Sequence, residues 1–207
     1  HGLVNNDIIS LNIKPKLYTG IGTNSSSIGI KRDDITGSIL IDPITFTNSS
    51  VKTNGFTLDK HGLVNGDKVY YEGTATGLTT GSYYVYKEDK NKIKFGDTYV
   101  DVTAYNPTYK SITALSGGSN QKIYKVNPQI KTFKNNNLVF DISDSSLSGY
   151  QLKFYYDNEF KNEFNSVGLS TQFNIISTGS TVTVSYSSSL PNTLYYNLKQ
   201  NSSGYIS

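Results

Sequence analysis

Beyond residue 137 the chain alternates apolar and polar positions with a period of two. Leu138, Phe140 and Ile142 share one face of a strand, and Tyr150, Leu152, Phe154 and Tyr156 share another. Val182, Val184 and Tyr186 form a third such set, and Leu194, Tyr196 and Leu198 a fourth. Extended backbone points successive side chains to opposite faces, so this pattern predicts antiparallel strands with one buried and one wet face. Upstream the runs are shorter. Ser38–Ile41, Ile44–Thr47 and Phe56–Leu58 read as strands punctuated by Asp42-Pro43 and Asn54-Gly55. Val69–Glu72, Ser82–Lys87 and Lys92–Phe95 follow, separated by Gly77–Gly81 and Glu88–Asn91. Regularly spaced strand and turn signals of this kind predict a β-meander, as in sandwiches and small barrels. Ile8–Ile13 reads as a strand that Lys14-Pro15 ends, and Gly20–Gly29 as a glycine/serine loop. That loop has neither the Gly-Lys-Ser/Thr ending nor the following helix of a phosphate loop. No amphipathic helix is predicted; Asn158–Phe164 suits a single turn.

A local repeat adds organisation to this pattern. His1-Gly-Leu-Val-Asn-Asn-Asp7 returns as His61-Gly-Leu-Val-Asn-Gly-Asp67, with a strand-like segment on each side of the second copy. The heptapeptide therefore reads as a turn between paired strands, and its recurrence as a mark of tandem modules. His1 begins inside such a turn and the chain has no methionine, so it is expected to be part of a longer protein. The expected division is a partial N-terminal module over 1–53, a small β module over 54–116, and an antiparallel sandwich over 122–207. The stretch Leu115–Asn120 has the composition of a flexible linker.

Composition supports an all-β chain. Tyrosine (17 residues), threonine, valine and isoleucine suit pleated surfaces, glycine and asparagine suit turns, and an aromatic content of 13% argues against disorder. Cysteine is absent, which removes disulfides, thiol nucleophiles and thiolate metal sites. A net charge of +3, with lysines dispersed, gives no basic face for nucleic acid. No apolar stretch reaches the 18 or so residues of a membrane span, so neither nucleic acid nor membrane insertion is expected.

Candidate chemistry is sparse. His1 and His61 occupy equivalent repeat positions, read either as a metal or catalytic pair or as residues packing against their turns. Glu72, Glu88, Glu159 and Glu163 are the only glutamates available as acid and base for glycoside hydrolysis. Asp141 with Asp144, and Asp157 with Glu159, offer oxygen ligands for calcium without the twelve-residue loop of an EF-hand, and equally suit solvated turns. Tyr83, Tyr84, Tyr86, Tyr155, Tyr195 and Tyr196 supply aromatic area for a sugar or protein surface, and half of the tyrosines are expected in the core. No catalytic, cofactor-binding or metal-binding residue is assigned on this reading, and no cofactor is expected.

Segment by segment the chain resembles modules of large virion structural proteins of marine tailed phages. The matching segments are Asn127–Ile130, Leu138–Gly149, Leu152–Asp157, Phe160–Phe164 and Leu190–Leu198. The His61–Val69 element with the Gly81–Val85 strand is similar to a unit repeated in phage tail and fibre-like proteins. The likeness spans residues 54–207. It implies a non-enzymatic structural module of a tail, fibre or other external appendage. Implied partners are other virion proteins, copies of itself, and a host cell-surface glycan or protein. The alternative is a receptor- or glycan-binding adhesion module of a phage fibre or of a bacterial repeat adhesin on the cell surface. The C-terminal part is also similar to cupredoxin-like sandwiches, which carry a histidine after the Ser-Gly and a Cys…His…Met cluster after the Leu-Tyr-Tyr strand. Here Tyr150, Leu198 and Asn201 stand in the histidine, cysteine and second histidine positions, and residues 127–207 contain no histidine, cysteine or methionine. A blue-copper site needs those ligands, so this likeness implies the sandwich alone.

Overall fold

A computed structural model describes residues 8–11, 27–113, 120–133, 137–164, 175–185 and 193–201. The protein is all-β. Its elements are β1 (Ile8–Leu11), β2 (Ile28–Arg32), β3 (Ile39–Phe46), β4 (Val51–Lys52), β5 (Gly55–Thr57), β6 (Lys68–Glu72), β7 (Gly81–Lys87), β8 (Lys92–Gly96), α1 (Tyr99–Thr103), β9 (Gln121–Val126), β10 (Ile130–Phe133), β11 (Asn137–Asp141), β12 (Tyr150–Tyr155), β13 (Ile175–Thr178), β14 (Thr181–Ser185) and β15 (Tyr195–Gln200). They fall into two compact units. Residues up to Ile41 and from Asn127 onward make the first, and Asp42–Val126 make the second.

The first unit is a sandwich. One layer runs β13-β14-β11-β2-β3, with β2 and β11 parallel and the other neighbours antiparallel. The other contains the antiparallel pair β12-β15, and β1 pairs with β10. The alternating positions supply its core. Ile28, Ile30, Ile39, Ile41, Leu138, Phe140, Val182 and Val184 come from the first layer, and Leu152, Phe154 and Tyr196 from the second. Phe140 meets Phe154 at 5.9 Å and Tyr196 at 6.4 Å between ring centres, so one aromatic side chain bridges the layers. The Tyr196 hydroxyl donates to the Pro128 carbonyl, which gives the buried ring's polar tip a partner.

The second unit runs β9-β6-β7-β8-β5-β4, antiparallel throughout, with β6, β7 and β8 forming the expected meander. Phe56 sits centrally in its core, 4.9 Å from Phe95, 5.3 Å from Phe46 and 6.0 Å from Tyr71. A polar cluster is enclosed beside it. The Tyr71 hydroxyl donates to Gln121 Oε1 and accepts from Ala75 N–H at 2.9 Å. Gln121, 1% exposed, donates from Nε2 to Asn48 Oδ1 at 2.9 Å and to Thr74 Oγ1 at 3.2 Å. Burial raises the Tyr71 hydroxyl above its ordinary pKa.

Several boundaries differ from the sequence reading. The units divide at 41/42 and 126/127, not near 53 and between 116 and 122. β2 and the first residues of β3, Ile39–Ile41, join the C-terminal sandwich because Ile28, Ile30, Ile39 and Ile41 share its core. Gln121–Val126 belongs to the second unit because it pairs along β6. Asp42-Pro43 does not interrupt β3, since Pro43 lies exposed within it. Of the predicted Gly20–Gly29 loop, Ile28 and Gly29 open β2 and residues 20–26 lie outside the described residues; so does Tyr186. A short helix, α1, forms where none was expected. Its Thr98 side chain accepts from Asp101 N–H, and Asp101 accepts back from Thr98 N–H, completing a capping box. β12 ends at Tyr155, so the alternation stops there: Tyr155 is 6% exposed and Tyr156 51%.

Gln121 Oε1 also accepts from Thr74 N–H at 3.2 Å, so Gln121→Ala, which leaves that N–H and the Tyr71 hydroxyl without their acceptor, is expected to destabilise the chain by about 1–3 kcal/mol. Urea denaturation should show a lower midpoint at an unchanged slope.

Candidate functional site

The repeated heptapeptide folds as a turn held by its own side chains. His61, 3% exposed, accepts from Leu63 N–H at Nδ1 (3.0 Å), while Nε2 lies 3.1 Å from the Asp89 carbonyl. A carbonyl can only accept, so the network assigns the neutral ring with hydrogen on Nε2. Asp67 Oδ2 accepts from Val64 N–H at 2.8 Å, and Asn65 Oδ1 accepts from Lys87 N–H at 2.6 Å. Gly66 has φ +82 and lies against the Tyr99 ring, where a Cβ would stand 2.4 Å from a ring carbon. Of the two readings of His61, the geometry therefore favours the turn. The first copy, with His1, lies outside the described residues.

The acidic candidates also hold local structure. Glu72 accepts from the Tyr124 hydroxyl at 3.1 Å, and Glu88 from Lys94 at 3.0 Å, both in the second unit. Glu159 pairs with Lys161, and Glu163 with Lys153 (2.8 Å) and Lys199 (3.1 Å), all in the first. The four are thus split between the units. Asp141 accepts from Ser143 N–H at 2.9 Å, and Asp144 from Ser146 N–H and Oγ at 2.9 and 2.7 Å. Asp157 takes the N–H groups of Glu159, Lys161 and Asn162 at 3.0, 3.2 and 2.8 Å. Hydrogen bonds from Ser143 to Asp141, from Asn162 to Asp157, and from Lys153 to Glu163 hold each of these three carboxyls below the usual carboxylate range. Among the described residues no three His, Asp or Glu side chains gather as a metal site, and no helix is long and apolar enough to cross a membrane.

The tyrosines sort by strand register. Tyr83 points into the core, stacked on Phe95 at 5.3 Å, and its hydroxyl donates to the Thr79 carbonyl at 2.9 Å. Tyr155 and Tyr196 are also buried. Tyr84 and Tyr86, on the opposite face of β7, meet two rings that the sequence reading did not single out. Tyr84 packs edge-on to Tyr99 at 6.2 Å, and Tyr86 lies 4.9 Å from Tyr109, over which Lys94 Nζ sits at 4.9 Å. Burial first, and the Tyr86 hydroxyl second, push Tyr109 up to about 12, so it stays a neutral phenol. Tyr99, Val100 and Tyr105 are exposed. The signal for Tyr99 was present as Thr98-x-x-Asp101, a helix-start pattern that fixes the ring after it; nothing local marks Tyr109. Tyr195 stands apart, half-buried in the first unit.

What this defines is an all-β chain of two units, one of which displays a solvent-facing tyrosine cluster. No family model matches the chain, and no curated protein or solved structure matches it significantly.

His61→Ala is expected to cost about 1–3 kcal/mol by stranding the buried Leu63 N–H, read as a lower thermal midpoint by circular dichroism. Acid should also weaken the first unit. Carboxyls whose folded pKa is depressed contribute stability that is complete above the unfolded value, about 4, and is lost as pH falls through the folded value. The melting temperature should hold from neutrality to about pH 5 and fall below about pH 4, less steeply in Asp157→Asn.

Proposed function

We propose that the chain is a non-enzymatic structural module of a tailed-phage virion, set in the tail, a fibre or another external appendage. There it acts in assembly and surface contact, against copies of itself or neighbouring virion proteins. One observation carries this reading. The heptapeptide that occurs twice forms, at His61–Asp67, a clip in which His61 and Asp67 each satisfy a backbone N–H of the turn and Asn65 satisfies that of Lys87 on β7. The recurrence of this heptapeptide at residues 1–7 supports a chain built from repeats, and repeat-built chains suit a mechanical part. The resemblance of residues 54–207 to phage virion modules supplies the particle.

A second reading, a receptor- or glycan-binding adhesion module of a phage fibre or bacterial repeat adhesin, is favoured by the Tyr84, Tyr86, Tyr99 and Tyr109 cluster. Aromatic rings of this kind offer large contact area at small conformational cost.

Immunogold electron microscopy with antibody raised against the purified chain separates these readings. Label on the tail or appendages of phage particles is the expected result. Label on the envelope of uninfected bacteria, with none on particles, would overturn the virion assignment and favour the adhesin.

A further inference from the structure

The first unit carries a cleft of about 350 Å³, within the roughly 300–1,000 Å³ of small-molecule sites. Its walls come from four places in the sequence: the β2–β3 turn with Thr36 and Ser38, the return of the chain at Asn127, the turn that carries Phe160, and Tyr195 and Asn197 of β15. Each wall is held from behind. Asp33 accepts from Ile35 N–H (3.0 Å) and Thr36 N–H (3.3 Å). Asn127 Oδ1 accepts from Ile39 N–H at 2.8 Å, and Asn197 Oδ1 from Leu198 N–H at 2.8 Å. Both amides are thereby oriented, and among the described residues neither Nδ2 has a partner. The Tyr195 hydroxyl has none either.

Phe160 is the least expected wall. Its backbone has φ +58, a left-handed conformation that a bulky side chain rarely adopts. Asp157 imposes it by gathering three N–H groups of the same turn. The ring is held edge-on to Tyr155 at 5.3 Å and remains 40% exposed. Asn127 (φ +43) and Gly37 (φ +71), also at this cleft, share the left-handed backbone. A strained backbone at Phe160, on the wall of a cleft, points to ligand contact.

We propose that this cleft binds a neutral saccharide. Rings at Phe160 and Tyr195 suit the apolar C–H face of a sugar, and the two amide groups with the Thr36 and Ser38 hydroxyls suit its hydroxyls. No charged side chain among the described residues lines the cleft, so an acidic sugar or a phosphate finds no counter-charge. The proposal deepens the surface-contact reading above by naming a site and a ligand class, and it can fail while that reading stands.

The test is NMR titration of the intact, ¹⁵N-labelled chain with cellobiose, chitobiose and lactose, and with digalacturonate as the charged comparison. The expected result is saturable shifts for at least one neutral disaccharide at Thr36, Ser38, Asn127, Phe160 and Asn197, and none for digalacturonate. Phe160→Gly removes the ring and relieves the left-handed strain, so it should weaken binding about tenfold or more while the melting temperature holds or rises. Asn197→Asp keeps the acceptor for Leu198 N–H and loses the donor, and should weaken binding several-fold. Absence of shifts for all three neutral sugars overturns the proposal. So do shifts confined to Tyr84, Tyr86, Tyr99 and Tyr109, which would leave the adhesion reading intact, and so does undiminished binding by Phe160→Gly.

Discussion

The first unit depends on a clamp between residues distant in sequence. Asn127 N–H donates to the Ile39 carbonyl at 2.7 Å, and Asn127 Oδ1 accepts from Ile39 N–H at 2.8 Å. The chain leaves this unit just after Ile39 and re-enters at Asn127, 88 positions later. Closing a flexible loop of that length costs on the order of 4 kcal/mol, more than two net hydrogen bonds at about 1 kcal/mol each contribute. The clamp holds because two other things help it. The intervening residues are themselves a folded unit and have already lost most of their freedom, and Ile39, Ile41 and Ile130 are buried alongside. Asn127 suits the position, since asparagine tolerates the left-handed backbone better than most residues.

Elsewhere the polar side chains repeat one device at small scale. An aspartate, asparagine or histidine turns back on the N–H groups of its own loop, as Asp157, Asp33 and His61 do. This leaves loops whose shape is set locally, while the cores are set by the aromatic contacts of Phe140 and Phe56. The two contributions are separable. A loop can change without moving a core, which suits a fold that presents surfaces.

How much was legible follows from the range of each interaction. The alternation at Leu138/Phe140, Leu152/Phe154 and Val182/Val184 reports burial directly, because strand register converts sequence parity into facing. All six are in the core. The meander β6–β8 was legible for the same reason. The allocation of strands to each unit was not, since pairing of Ile28 with Phe140 and of Ile123 with Tyr71 joins segments with no local mark of affinity. Of the tyrosine cluster, Tyr84 and Tyr86 were visible as alternate positions of a strand, whereas Tyr109 arrives from a loop without regular structure. The cleft was invisible because it combines three loops with strand β15, all distant in sequence, and its most telling residue, Phe160, is conspicuous only through its backbone angle.

The nested order of strands has a bearing on how the chain emerges during synthesis. β2 and β3 are made early, with Ile28, Ile30, Ile39 and Ile41 lacking the surface they will cover, and β11, β12, β14 and β15 follow only after the whole of Asp42–Val126. Until the last of these leaves the ribosome, an apolar ribbon stands uncovered. A nascent chain of this design invites neighbouring copies to complete its sheet by exchange.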